Sequence, residues 1–187
     1  MFPGWEAIKT TRGHYRSCGK DPHSCCVSHL LSDQPVTRSG RDETYAPGKD
    51  TGSYWEAGAA NVHWVIATEE QVGQGIHTAL TRVQSEGVFI EGNTFSEYVD
   101  VDLMIMVARA GSAPIKKSAR LALAKSSAIY LTGETDLQAG ADERAHFQTW
   151  LRSTNIIRSD SALPLYGWEN MRDLVALVER VGSLAAA

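Results

Sequence analysis

The chain has only three cysteines, Cys18, Cys25 and Cys26, and an odd number packed so closely builds no disulfide framework. A reducing, cytoplasmic setting is the expectation. No apolar run approaches the roughly 18 residues of a membrane span. The opening text, MFPGWEAIKTTRGH, has no apolar stretch of the kind a secretory signal carries. There is no excess of positive charge either. With 18 basic residues against 22 acidic and a net charge of −4, neither nucleic acid nor an anionic membrane is expected as the main partner. The sequences G-x-S-x-G, H-E-x-x-H and G-x-G-x-x-G are missing, which removes the familiar signs of a serine hydrolase, a zinc protease and a dinucleotide binder. Also missing is G-x-x-x-x-G-K-[ST], the loop whose backbone amides cradle phosphates.

What is there reads as a globular α/β protein. At 187 residues, 43% hydrophobic and 21% charged, the chain is long enough for one domain with a substantial core. Val62–Ala67 is strand text. Thr68 with Gln71 three residues on has the form of a helix N-terminal capping box, and Val72, Ile76, Ala79, Leu80 and Val83 follow at helical spacing. Gly87 ends that helix before a strand over Val88–Glu91. Leu103–Ala108 is a continuous apolar run, as expected of a strand covered on both faces. A helix follows Pro114, then strand Ala128–Leu131, a helix over Ala141–Leu151, a short strand near Leu163–Tyr166, and a last helix with Met171, Leu174, Val175, Val178 and Val181 on its core side. Alternation of this kind predicts a three-layer α/β domain over residues 1–187, with a mostly parallel, doubly wound sheet. Its regular core spans 62–182. Before it, a possible strand over Trp5–Thr11 is followed by a long polar, irregular segment over 12–57 that contains the Cys/His text.

Three places carry chemistry. The strand Val88–Ile90 ends on Glu91-Gly92, and in open α/β sheets ligands gather at the carboxyl ends of strands, where an acid can hold Mg²⁺ or orient water. A polar residue capping a strand is the plainer reading. Gly48-Lys49-Asp50-Thr51 supplies a cation, a carboxylate and a hydroxyl on a turn, so Lys49, Asp50 and Thr51 could contact a metal–phosphate group, or form an exposed turn only. The segment from His14 to His29 offers Cys18, His23, Cys25 and Cys26, ligand types used by zinc and iron–sulfur sites. Its spacing fits no standard template, and the alternative is a loop with buried thiols and surface histidines. Lys116, Lys117, Arg120 and Lys125 form a basic stretch best read as a solvated helix face. His63 and His77 read as packing or surface residues.

Taken in order, Ala7-Ile8-Lys9-Thr10-Thr11, then Gly48-Lys49-Asp50-Thr51 leading to Ala57-Gly58-Ala59, then a strand closing on Glu91-Gly92, resemble the molybdopterin-guanine dinucleotide biosynthesis protein B group. These are P-loop GTPases and ATPases that assist metallocofactor assembly. The resemblance implies a P-loop NTPase-like fold with Glu91 as the acid near Mg²⁺ and water. It also puts Lys49, Asp50 and Thr51 near phosphates or cofactor, and Thr132 and Gly133 near the base. It implies Mg²⁺ with GTP or ATP, and a nucleotide or cofactor-assembly protein as partner, with a homodimer possible. The chain departs from the group in having no Walker A loop, in Asn93-Thr94 after the Glu-Gly pair, and in the Cys18–His29 cluster. The first departure makes Met1 an expected internal start and this form nucleotide-binding-deficient. The rival expectation is a non-enzymatic metal-delivery module that holds Zn²⁺ or an iron–sulfur cluster at Cys18, Cys25, Cys26 and a histidine.

Overall fold

A computed structural model describes residues 2, 4–13, 27–111, 115–134, 136, 138–157 and 163–185. The chain divides into two compact units, Met1–Val99 and Asp100–Ala187, where the sequence leads one to expect a single domain. Both are α/β with mostly parallel sheets.

The first unit holds β1 (Glu6–Arg12), β2 (Val36–Ser39), α1 (Arg41–Thr44), α2 (Asp50–Glu56), β3 (Val62–Ala67), α3 (Val72–Leu80) and β4 (Val88–Glu91). Its sheet order is β2-β3-β1-β4. β1 runs parallel to both β3 and β4, while β2 joins the outside of β3 antiparallel. Successive strand residues face opposite ways, so Val62 and Val65 of β3 lie on different faces. Val62 packs with Ala7, Ala59, Tyr54 and Trp55, which places α2 on that side. Val65 lies against Gly75 of α3, where an added Cβ would come within 2.6 Å of its side chain. Helices therefore cover both faces of this sheet. Ile8, Val65, Val72 and Ile76 are fully buried. Gln71 does reach back, its Oε1 accepting from the Thr68 amide at 3.1 Å, but the helix starts later, at Val72, and Val83 falls beyond its end.

The segment over 12–57 is more regular than its composition suggests, since β2, α1 and α2 all lie within it. Short helices of four and seven residues and a four-residue edge strand leave little periodicity to read.

The second unit holds β5 (Ile105–Arg109), α4 (Lys117–Lys125), β6 (Ala128–Thr132), α5 (Ala141–Ser153), β7 (Leu165–Tyr166) and α6 (Met171–Ala185), with the parallel order β5-β6-β7. Leu123 of α4 and Phe147 of α5 pack on Ile129 and Leu131 of β6, joined by Met106, Ala108 and Leu165 from its neighbours. Val107 points to the other face and is 67% exposed, so within this unit β5 is not the doubly covered strand its apolar run suggests. The basic stretch lies on α4 as expected, with Lys116 as its N-cap and Lys117, Arg120 and Lys125 within the helix. Among the described residues no helix is long and apolar enough to cross a membrane.

Candidate functional site

Lys9 and Glu91 stand directly opposite each other where β1 and β4 pair, at the carboxyl end of β4. Gly92 follows with φ of 134°, a backbone turn that a side chain would strain, and takes the chain away from the strand end. On the same face, α2 begins at Asp50. Lys9 Nζ lies 2.5 Å from Asp50 Oδ2 and 2.5 Å from Glu91 Oε1. Tyr54, one helical turn after Asp50, donates its hydroxyl to Glu91 Oε2 at 2.6 Å. Four side chains from three elements thus converge on one point.

Burial grades across this cluster. The Lys9 side chain is 17% exposed, Glu91 42% and Asp50 60%, so the ammonium sits beneath two carboxylates that reach towards solvent. Burial works to lower the Lys9 pKa, but its hydrogen bonds to Asp50 and Glu91 and their charges outweigh burial and hold it above the usual lysine value. Burial of Tyr54, reinforced by its bond to the Glu91 carboxylate, raises the phenol well above its ordinary range, so the hydroxyl stays a donor. Tyr54→Phe is expected to cost about 1 kcal/mol in urea unfolding. An unchanged midpoint would mean that Lys9 alone positions Glu91.

A second polar network lies on the opposite face. His63 of β3 is fully buried, with Nε2 2.6 Å from Glu6 Oε2 and Nδ1 2.8 Å from Ser39 Oγ. The other Glu6 oxygen accepts the backbone amides of Gln84 and Ser85, at 2.8 and 2.9 Å. Burial pushes the Glu6 pKa up, but these amides and His63 more than reverse that, and the carboxyl is held below its usual range.

No family model matches the chain, and neither a curated protein nor a solved structure is significantly similar to it.

Of the residues expected to carry function, Glu91 and Asp50 come together through Lys9. Lys49 is the exposed N-cap of α2 and Thr51 is 7% exposed inside it, so Thr51 faces packing and not a ligand. Thr132 and Gly133 belong to the second unit, where Thr132 Oγ1 donates to the Ala108 carbonyl at 3.3 Å. Cys18, His23, Cys25 and Cys26 lie outside the described residues; His29 is exposed on a short 3₁₀ turn, Ser28–Leu30. Among the described residues no group of three or more Cys, His, Asp or Glu side chains gathers as for a metal ion. Two carboxylates still suit a hydrated Mg²⁺, which takes one or two protein carboxylates and keeps several waters. Asp50 and Glu91 would hold it, with Lys9 yielding contact to the ion. Lys9 and Tyr54 are the residues that sequence reasoning missed. A lysine directly after Ala7-Ile8 in strand text, and a tyrosine four residues after Asp50, were the available signals.

Proposed function

We propose that the first unit is the phosphate-handling part of a P-loop NTPase-like protein that serves molybdenum or another metallocofactor, in a form deficient in nucleotide binding. The observation that carries this reading is the meeting of Asp50, Lys9 and Glu91 at the carboxyl end of a parallel strand, the position at which α/β sheets place ligands. A single ammonium held by two outward carboxylates is a charge cluster that Mg²⁺ can reorganise. The ion would take the carboxylates and free Lys9 for a phosphate oxygen. Mg²⁺, when bound with nucleotide, would neutralise phosphate charge; Glu91 would help to hold the ion and its waters, and Tyr54, bonded to Oε2, would fix the carboxylate's rotation. The open edge of β4, which pairs only with β1 among the described strands, is where a strand leading into a phosphate-cradling loop would add.

The test is to append a strand–G-x-x-x-x-G-K-S–helix unit ahead of Trp5 and to titrate the product with Mg·GTP and Mg·ATP by calorimetry. Micromolar binding that requires Mg²⁺, and a loss of hydrolysis in Glu91→Gln of about a hundredfold, are expected. The unextended chain is expected to bind neither nucleotide at millimolar concentration. No binding by a folded extended chain, or hydrolysis indifferent to Glu91→Gln, would overturn the reading.

A further inference from the structure

The Ser39–His63–Glu6 network takes no part in the phosphate-handling reading. It runs in one direction when every polar atom is given a partner. Glu6 Oε1 is taken by two backbone amides, so Oε2 accepts from His63 Nε2–H at 2.6 Å. That leaves His63 Nδ1 as an acceptor facing Ser39 Oγ at 2.8 Å, and the serine hydroxyl donates to it. Arg82 Nη1 approaches the same Oγ at 3.3 Å while donating to the Thr37 carbonyl at 2.8 Å. A serine is thus bonded to an imidazole whose other nitrogen is fixed by a buried carboxylate, itself anchored by backbone amides. Those are the parts and roles of an activated nucleophile: hydroxyl, base and orienting acid. The ring nitrogens are used in the opposite sense to the usual triad, with Nδ1 on the serine, and a triad is recognised by roles and geometry.

Exposure falls inward from the nucleophile, so substrate and water reach His63 Nδ1 only at the Ser39 side. His63 is 0% exposed and Glu6 4%, whereas Ser39, the last residue of edge strand β2, is partly exposed. The strands bring the three together from far apart in sequence, with Ser39 opposite His63 in the β2–β3 ladder and His63 opposite Ile8 in the β3–β1 ladder. Lys9, Asp50 and Glu91 take no part, because Glu6 and Lys9 are an odd number of residues apart on β1 and face opposite sides of the sheet.

We propose that Ser39 is a nucleophile for activated acyl esters, with His63 as its base, Glu6 as the residue that orients His63, and Arg82 as the cation beside the developing oxyanion. Ser39 Oγ bonds to the acyl carbon as its proton passes to His63 Nδ1. The ester C–O bond then breaks, and the departing alkoxide takes that proton from His63. Water, deprotonated by the same nitrogen, returns Ser39 and releases the acid.

The test uses the whole chain and a fluorophosphonate reagent, with intact mass and peptide mapping as readout. Attack by Ser39 forms an Oγ–P bond, expels fluoride, and passes the proton through His63 to solvent. An adduct on Ser39 is expected, absent in Ser39→Ala and formed about a hundredfold more slowly in Glu6→Gln. Arg82→Gln, at an exposed position, tests the same chemistry without touching the buried pair, and is expected to slow the reaction at least tenfold in a chain with an unchanged circular dichroism spectrum. An unmodified Ser39 in the folded wild-type chain would overturn the proposal. So would a Ser39 adduct that forms as fast in Arg82→Gln as in wild type, because ordinary accessibility would then explain it.

Discussion

Glu6→Leu is expected to lower the unfolding free energy by about 3–5 kcal/mol, because it takes the acceptor from His63 Nε2–H and from two backbone amides, at about 1–3 kcal/mol for each donor left buried and unpaired. Glu6 is 4% exposed and serves three donors, His63 Nε2–H and the amides of Gln84 and Ser85. Leucine fills a similar volume but accepts none of them, so one buried and two partly buried N–H groups lose their partner together. They belong to β3 and to the turn between α3 and β4, which Glu6 ties to the start of β1. In a unit of this size the loss is roughly a fifth or more of total stability, and the melting temperature should fall by roughly 12 °C or more. A drop of only a few degrees would mean that the network is redundant. The pH dependence has a definite sign. The Glu6 pKa is depressed in the folded state, so its contribution is present above the unfolded glutamate pKa, about 4.3, and is lost as pH falls through the lower folded value. Wild type and Glu6→Gln should therefore differ fully at neutral pH and converge in acid, as followed by thermal melts across that range.

This network is not legible in the sequence, for a physical reason. His63 lies in clean strand text, Val62–Ala67, whose bounds the structure reproduces, and within such text a lone histidine reads as packing. Its partner is 57 residues away, and the Lys9–Glu91 pair is separated by 82. Periodicity reports on neighbours three or four positions off, so it found the α3 stripe of Val72, Ile76 and Ala79 and the strand ending on Glu91. Pairing across a sheet depends on register, which no local pattern carries. Glu91 could be singled out because a carboxylate at the end of an apolar strand is anomalous by itself; Lys9 and Glu6 become meaningful only beside their partners. β2 failed for a different reason. Val36-Thr37-Arg38-Ser39 is a four-residue antiparallel edge in polar surroundings, and all four positions are only partly buried, so its in–out contrast is faint. The glycine and charges of the Gly48–Thr51 segment suit a turn. Instead Asp50 opens α2, and that helix start is what brings its carboxylate to Lys9.

That helix also gives the second large effect. Replacing an interior helix glycine by alanine ordinarily gains up to about 1 kcal/mol. Gly52→Ala is expected to do the reverse. A Cβ at Gly52 would come within 2.1 Å of the Ala46 carbonyl oxygen and 2.9 Å of its carbon, and both are backbone atoms that cannot turn aside. Either α2 lifts from the Ala46–Pro47 chain or that chain moves, at a cost of about 1–3 kcal/mol in urea unfolding. Because Asp50 and Tyr54 ride on the same helix, the shift should also part Asp50 from Lys9 and loosen the Tyr54 hold on Glu91. Lys9 then loses Asp50, one of the two carboxylates that raise its pKa, and more of its amine is free to react. Acylation by an amine-selective reagent, mapped by mass spectrometry, should increase several-fold at Lys9 and stay level at the exposed Lys49. A stabilised Gly52→Ala chain with unchanged Lys9 reactivity would mean that the close approach of Ala46 to α2 does not hold in solution. The charge cluster would then owe its geometry to the strands alone.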